Sequence, residues 1–170
     1  MKKLFTLILV ISLVLAFTNV AFAYTQGTSN FNSFTNTTRF NYYDNNGNNI
    51  TGSSRYNPLT NTTNYNFYDN SGNSVWGTSR HNTFTDTTRS DFNSNLGTTW
   101  SGTTRYNSFT NTNNYSYYDN SGYSWHGRGT HNTFTNTYST NSYDNFGNSF
   151  SSRSTYNPYT NTTHTSFYDW

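Results

Sequence analysis

A unit of 25 residues repeats without insertion or deletion, and no other feature restricts the fold as much. Units begin at Phe31, Tyr56, His81, Tyr106 and His131, and a shorter copy runs from Tyr156 to Trp170. Asn stands second in each (Asn32, Asn57, Asn82, Asn107, Asn132, Asn157), and Thr-Asn/Asp-Thr fills positions five to seven. Gly occupies position seventeen of every full copy: Gly47, Gly72, Gly97, Gly122 and Gly147. Three apolar columns accompany these markers and predict the core. Position four carries Phe34, Leu59, Phe84, Phe109, Phe134 and Tyr159. Position twelve carries Tyr42, Phe67, Phe92, Tyr117 and Phe167, with Ser142 as the exception. Position twenty carries Ile50, Val75, Trp100, Trp125 and Phe150.

Around position twelve the aromatics alternate with polar residues, as in Tyr65-Asn66-Phe67 and Tyr115-Ser116-Tyr117. That is the period of a strand with one buried face. Helices are excluded by composition: after Ala23 there is no Ala, Glu, Lys or Met, and Thr, Tyr, Phe and Trp dominate instead. An aromatic content of 20% argues against disorder. Asp69-Asn70-Ser71-Gly72-Asn73 suits a type I turn followed by a left-handed Gly. A second turn falls near Asn57-Pro58-Leu59-Thr60, where Pro pre-sets φ. Each unit should give two strands of about seven or eight residues, about eleven strands in all. The expected fold is all-β, a β-meander of hairpins forming a curved sheet. The alternative is a β-solenoid with one coil per unit, stacked at about 4.8 Å.

The first residues have the layout of a secretory signal peptide: Lys2 and Lys3, an apolar run from Leu4 to Phe17, then Ala21-Phe22-Ala23. That run is shorter than the roughly 20 residues a spanning helix needs. The organisation read from the chain is a leader at 1–23, a linker at 24–30 and a repeat domain at 31–170. The expected location is secreted, extracellular or at the cell surface, with no membrane span once the leader is cleaved. Of nine Lys and Arg, Lys2 and Lys3 belong to the leader, which leaves seven Arg against seven Asp. A near-neutral chain of this kind has no electrostatic footprint for nucleic acid, and it lacks the charge repulsion that opposes self-association. With no Cys, neither a lipid attachment site nor a disulfide framework is available.

The stretch from Asn57 to Asn73, Asn-Pro-Leu-Thr-Asn-Thr-Thr-Asn-Tyr-Asn-Phe-Tyr-Asp-Asn-Ser-Gly-Asn, resembles the YD-repeat (RHS) pattern. The Tyr-Asp pair returns as Tyr43-Asp44, Tyr68-Asp69, Tyr118-Asp119, Tyr143-Asp144 and Tyr168-Asp169, and Asn93-Ser94 departs from it. The resemblance covers nearly the whole repeat domain and implies an extracellular strand-turn-strand scaffold. It does not carry over the family's cargo-enclosing role, because enclosing members are far longer. The composition is also similar to that of curli-type subunits, without their regular Gln positions.

Candidate chemistry is sparse. Asp44, Asn46 and Asn48 have the alternate spacing of a calcium loop, but no Glu completes it and turn chemistry explains the same residues. The Thr-x-Thr pairs, Thr35 with Thr37 and Thr60 with Thr62 among them, would form a hydroxyl ladder in a solenoid, resembling ice-binding proteins. Trp76, Trp100 and Trp125, with Tyr68 and Tyr118, could stack on sugar rings, though such residues also serve as core. His81, His126, His131 and His164 do not cluster, and nothing pairs a nucleophile with a base, so no enzyme and no cofactor is expected. These readings lead to a secreted structural or adhesive repeat protein of the bacterial surface or extracellular matrix. It would act by β-sheet assembly or surface contacts, with copies of itself or with cell-surface glycans or proteins as partners. A lectin-like module is the alternative, and an ice-binding solenoid the third.

Overall fold

The computed structural model describes residues 25–44 and 47–169. The leader, residues 1–23, lies outside the described residues, as do Asn45 and Asn46, the second of which belongs to the calcium-like triplet. The strands in the first half are β1 (Thr25–Asn32), β2 (Thr37–Asp44), β3 (Asn49–Asn57), β4 (Thr62–Asp69), β5 (Ser74–Asn82) and β6 (Thr87–Ser94). Those in the second half are β7 (Thr99–Asn107), β8 (Thr112–Asp119), β9 (Ser124–Asn132), β10 (Thr137–Asp144), β11 (Ser149–Asn157) and β12 (Thr162–Asp169). Each pairs antiparallel with its sequence neighbours, and β1 also pairs with β12, from Thr25 opposite Phe167 to Asn30 opposite Thr162. The all-β strand-turn-strand reading holds, but the sheet is a closed barrel. It is neither an open curved sheet nor a stack of coils.

Closure follows from the register. Tyr65 faces Gly77, and Gly77 faces Phe92, two positions beyond Ser90, the repeat equivalent of Tyr65. Every unit therefore slips two residues along the sheet, and six slips accumulate a stagger of about 12 residues. Stagger then equals strand number, the relation that tilts barrel strands by about 36°.

The sixth unit has only one strand of its own, β12. Its missing partner is β1, in which Gly27 and Ser29 repeat the places of Gly52 and Ser54. Residues 24–30, read from sequence as a linker, thus mostly form the strand that closes the barrel.

A barrel of this strand number is wider than the eight-stranded kind that ordinary side chains fill. Large rings occupy the interior instead: Tyr42, Tyr65, Phe67, Phe92, Trp100, Tyr115, Tyr117 and Trp125 are all buried. Phe40 packs on Phe67 at 5.5 Å and Tyr65 on Phe92 at 5.6 Å between ring centroids, joining successive hairpins. Gly27, Gly52, Gly77 and Gly102 lie directly opposite Tyr42, Phe67, Phe92 and Tyr117. A Cβ at any of them would overlap the facing ring. Between β10 and β1 small hydroxyls share the interior with the rings of Tyr138 and Phe167, and some bond in pairs, Thr140 with Ser152 at 2.7 Å and Ser154 with Thr165 at 2.8 Å. Columns twelve and twenty are therefore core, although the side chain of Phe150 is outside what is described.

Column four is not core. Phe34, Leu59, Phe84, Phe109, Phe134 and Tyr159 are 94–100% exposed. Each sits in the turn between two strands, past the point where the barrel wall ends. An apolar column in the sequence identified a repeated position, and only the strand ends decide whether that position faces inward.

The fifth unit shows how the interior tolerates change. Ser142 replaces the ring of column twelve, and Tyr115 extends into the place, its hydroxyl 2.5 Å from Ser142 Oγ. Tyr138 stands where other units have Thr or Asn, and Gly129 where they have Ser or Thr. A Cβ on Gly129 would run into the Tyr138 ring, so the two departures compensate each other. Gly129→Ser, which restores the repeat consensus, should therefore destabilise the barrel by about 1–3 kcal/mol through overpacking. Tyr138→Thr alone should cost about 3 kcal/mol through the cavity it leaves. Urea unfolding of the double variant should show recovery relative to the sum of the single costs, and simple additivity would contradict this packing.

Candidate functional site

The hairpins end in two different turns, and this gives the barrel two chemically distinct rims. At one rim the Asn of position two folds back on the turn. Asn32 Oδ1 accepts from the N–H groups of Phe34 at 2.9 Å and Thr35 at 3.2 Å, and Asn82, Asn107 and Asn132 repeat both bonds. The residue at position six is left-handed in every turn, from Asn36 at φ 51° to Asn161 at φ 57°. Asn and Asp tolerate that conformation, which accounts for the Thr-Asn/Asp-Thr column. Tyr56, Tyr106 and Tyr156 brace the turns by donating to Asn61, Asn111 and Asn161 at 2.7–2.8 Å. In the third unit His81 and Asp86 replace that pair, 3.7 Å apart. These braces hold the six apolar tips as a crown around the rim.

Behind the crown the outer wall is basic over part of its circumference. Arg39, Arg55, Arg80, Arg89 and Arg105 lie on β2, β3, β5, β6 and β7, all exposed and on the crown half of their strands. Arg80 and Arg89 stand directly opposite one another, and Arg105 is diagonal to Arg89 across β6 and β7. One shallow groove is lined by all three together with His81 and Asp91. Asp91 Oδ2 lies 3.7 Å from Arg89 Nε.

The opposite rim carries the Gly turns, with φ between 81° and 91°. Asp69 accepts from the N–H groups of Ser71 and Asn73 and from Asn73 Nδ2, at 2.7–2.9 Å. Asp119 and Asp144 repeat the arrangement, and in the third unit Ser94 Oγ accepts from Leu96 and Thr98 instead. Asn70, Asn95, Asn120 and Asn145 each donate to the Gly carbonyl of the preceding turn at 3.1 Å. The Asp-Asn-Ser-Gly-Asn signature is thus a chain of linked turn caps. Among the described residues, no three His, Cys, Asp or Glu gather as metal ligands would.

The residues singled out from sequence scatter over this frame. Trp100 and Trp125 are 3% and 2% exposed, inside the barrel, so they are corrected from interaction residues to core. Trp76 is 43% exposed on the outer wall, directly between Asn66 and Asn93. Tyr68 and Tyr118 are exposed on the outer wall near the Gly rim. Thr35 and Thr60 are exposed at the crown, and Thr37 and Thr62 donate back to them within the turn. They form a ring around the rim, spaced by two strands or about 10 Å, and not a flat ladder. The crown itself was missed. Position four reads as core by its apolar character, although Pro58 and Pro158 beside it mark a turn outside the strands.

Two kinds of ionisation, one carboxyl and several phenols, make the frame pH-dependent. Burial pushes the Asp144 carboxyl up, but bonds from Tyr123, the Asn148 side chain and the Asn148 and Phe146 amides outweigh it, and its pKa is lowered. A lowered folded pKa gives stability that is complete above the unfolded value near 4 and lost as pH falls below it. Burial holds the Tyr115 phenol neutral, pushed up to about 12, and Tyr42, Tyr65 and Tyr117 are raised too. Their contribution is complete below the unfolded value near 10 and fades as pH rises beyond it. Thermal melts should show a plateau at neutral pH with losses on both flanks, and Asp144→Asn should flatten the acid flank. An unchanged acid flank would contradict the role given to Asp144.

Comparison of the chain with protein-family models, with curated proteins and with solved structures finds no match.

Proposed function

We propose that this chain is a secreted, non-catalytic surface-interaction protein, adhesive through the apolar rim of a rigid barrel. The observation that carries this reading is the crown: six apolar side chains, 94–100% exposed, on six braced turns of one rim. Isolated exposed apolar residues are ordinary, whereas a regular ring at one end of a molecule marks an interaction surface. Each tip, once covered, would contribute roughly 1.5–3 kcal/mol. The closed sheet also directs how copies could associate. With β1 paired to β12, no strand edge is open among the described strands, so contact would run through rim or wall and not through edge pairing. The likeness to YD-repeats is part of the same reading, supported by the capping role of Asp69, Asp119 and Asp144 in three of the five Tyr-Asp pairs.

A carbohydrate-binding role is the second reading. Trp76 favours it: a half-exposed indole between two amides offers a stacking face with hydrogen-bonding groups on both sides.

The crown reading is tested by replacing all six tips with Ser and measuring adsorption to alkyl-coated surfaces. The expected outcome is a large loss of adsorption with an unchanged melting temperature, since the tips are solvated in the fold. Undiminished adsorption would overturn it. For the second reading, a glycan array should show binding that Trp76→Ala abolishes, and a blank array would reject it.

A further inference from the structure

The crown reading leaves the partner open, and the distribution of charge narrows it. Five of the seven Arg (39, 55, 80, 89, 105) lie on the crown half of the barrel wall. Asp69, Asp119 and Asp144 cap turns at the far rim. On the crown side the opposing carboxylates are Asp86, beside His81, and Asp91, beside Arg89. Arg55, Arg80 and Arg105 each precede a crown tip by four residues (Leu59, Phe84, Phe109) and lie two residues inside their strand ends. At the usual rise this puts the guanidinium groups roughly 5–10 Å behind the tips. An apolar side chain entering the headgroup and acyl boundary reaches about that depth. Arg80 directly faces Arg89, with Arg105 diagonal to it. Like charges so placed are unfavourable alone, and an anion between them relieves the repulsion.

The crown geometry points the same way. Tips on alternate strand connections are about 10 Å apart, too far to touch one another. A protein partner would need a separate pocket for each tip, whereas a fluid bilayer accepts separate insertions in one plane. The middle of the outer wall is polar, with Asn41, Asn66, Ser116, Arg128, Asn141 and Arg153. The exposed Tyr43, Tyr68, Tyr118, Tyr143 and Tyr168 sit at the Gly-rim end and Trp76 stands apart. No continuous apolar band therefore surrounds the barrel, and it would rest on a bilayer without crossing it.

We propose that the crown rim docks on the surface of an anionic phospholipid bilayer. The tips enter the interface, and the Arg80–Arg89–Arg105 cluster binds lipid phosphates. This rests on the crown being an interaction surface.

Co-sedimentation with vesicles tests it, using the chain from Tyr24 onward, since β1 to β12 all lie within residues 25–169. Circular dichroism melts would verify that each protein is folded. Binding is expected with phosphatidylcholine containing about 30% phosphatidylglycerol, falling at least tenfold in pure phosphatidylcholine or at about 0.5 M salt. Phe84→Ser, Phe109→Ser and Phe134→Ser together should weaken it at least tenfold at an unchanged melting temperature. Arg80→Gln with Arg89→Gln should remove most of the dependence on phosphatidylglycerol, and should keep or raise the melting temperature. No binding to either vesicle, or binding that the Phe variant retains, would overturn the proposal. If wild type binds no vesicle but dimerises through Phe84, Phe109 and Phe134, the crown is an interface between copies, and the lipid assignment alone fails. If the six-Ser variant also keeps full adsorption to alkyl surfaces, the crown reading fails with it.

Discussion

Each hairpin slips two residues along its neighbour, and the accumulated slip brings β12 back against β1. Strand tilt, barrel width and the need for large interior rings all follow from that step. The step depends on a close approach between strands, because Gly52, Gly77 and Gly102 leave room for Phe67, Phe92 and Tyr117 to lie across them. A side chain on each of those glycines would push the ring away and loosen the register with it. Ser152 of the fifth unit faces Phe167 of the sixth, so one place in the circuit accommodates a Cβ.

Interior packing and rim chemistry are separable in this architecture. Rings and hydroxyls inside the wall set stability, and they are exchanged in compensating groups, as Gly129 with Tyr138 and Ser142 with Tyr115. The turns lie outside the wall and are held by their own bonds: Asn to amide at the crown, Asp to amide at the Gly rim. A crown tip can therefore be replaced without disturbing the core. This separation is why a functional surface is sought at the rims and not within the barrel.

Much of this was legible in the chain. Period two around Phe67 and Tyr117, the Gly turn after Asp69 and the absence of helix formers led to paired strands in tandem hairpins. Closure is also encoded there, since Thr25–Asn32 matches Ile50–Asn57, but the segment precedes the first complete unit and so lies outside the repeat that begins at Phe31. The crown was misread for a different reason. Period and hydrophobicity group Phe34 with Phe67 and Trp100, and only the end of the strand separates a tip from a core ring. Trp100 and Trp125 are core as column twenty implies, and only their second reading as stacking residues fails. Inward and outward positions alternate along a strand, and Trp76 differs from Trp100 by one step of that alternation.

Amide hydrogen exchange, resolved residue by residue along β1 and β12, tests the closed barrel most directly. Pairing on both sides should protect consecutive amides of β12, from Thr163 to Phe167, to the same degree as those of the interior strand β6. Fast exchange at every second residue of β12, the pattern of an unpaired sheet edge, would contradict closure and the rim that depends on it.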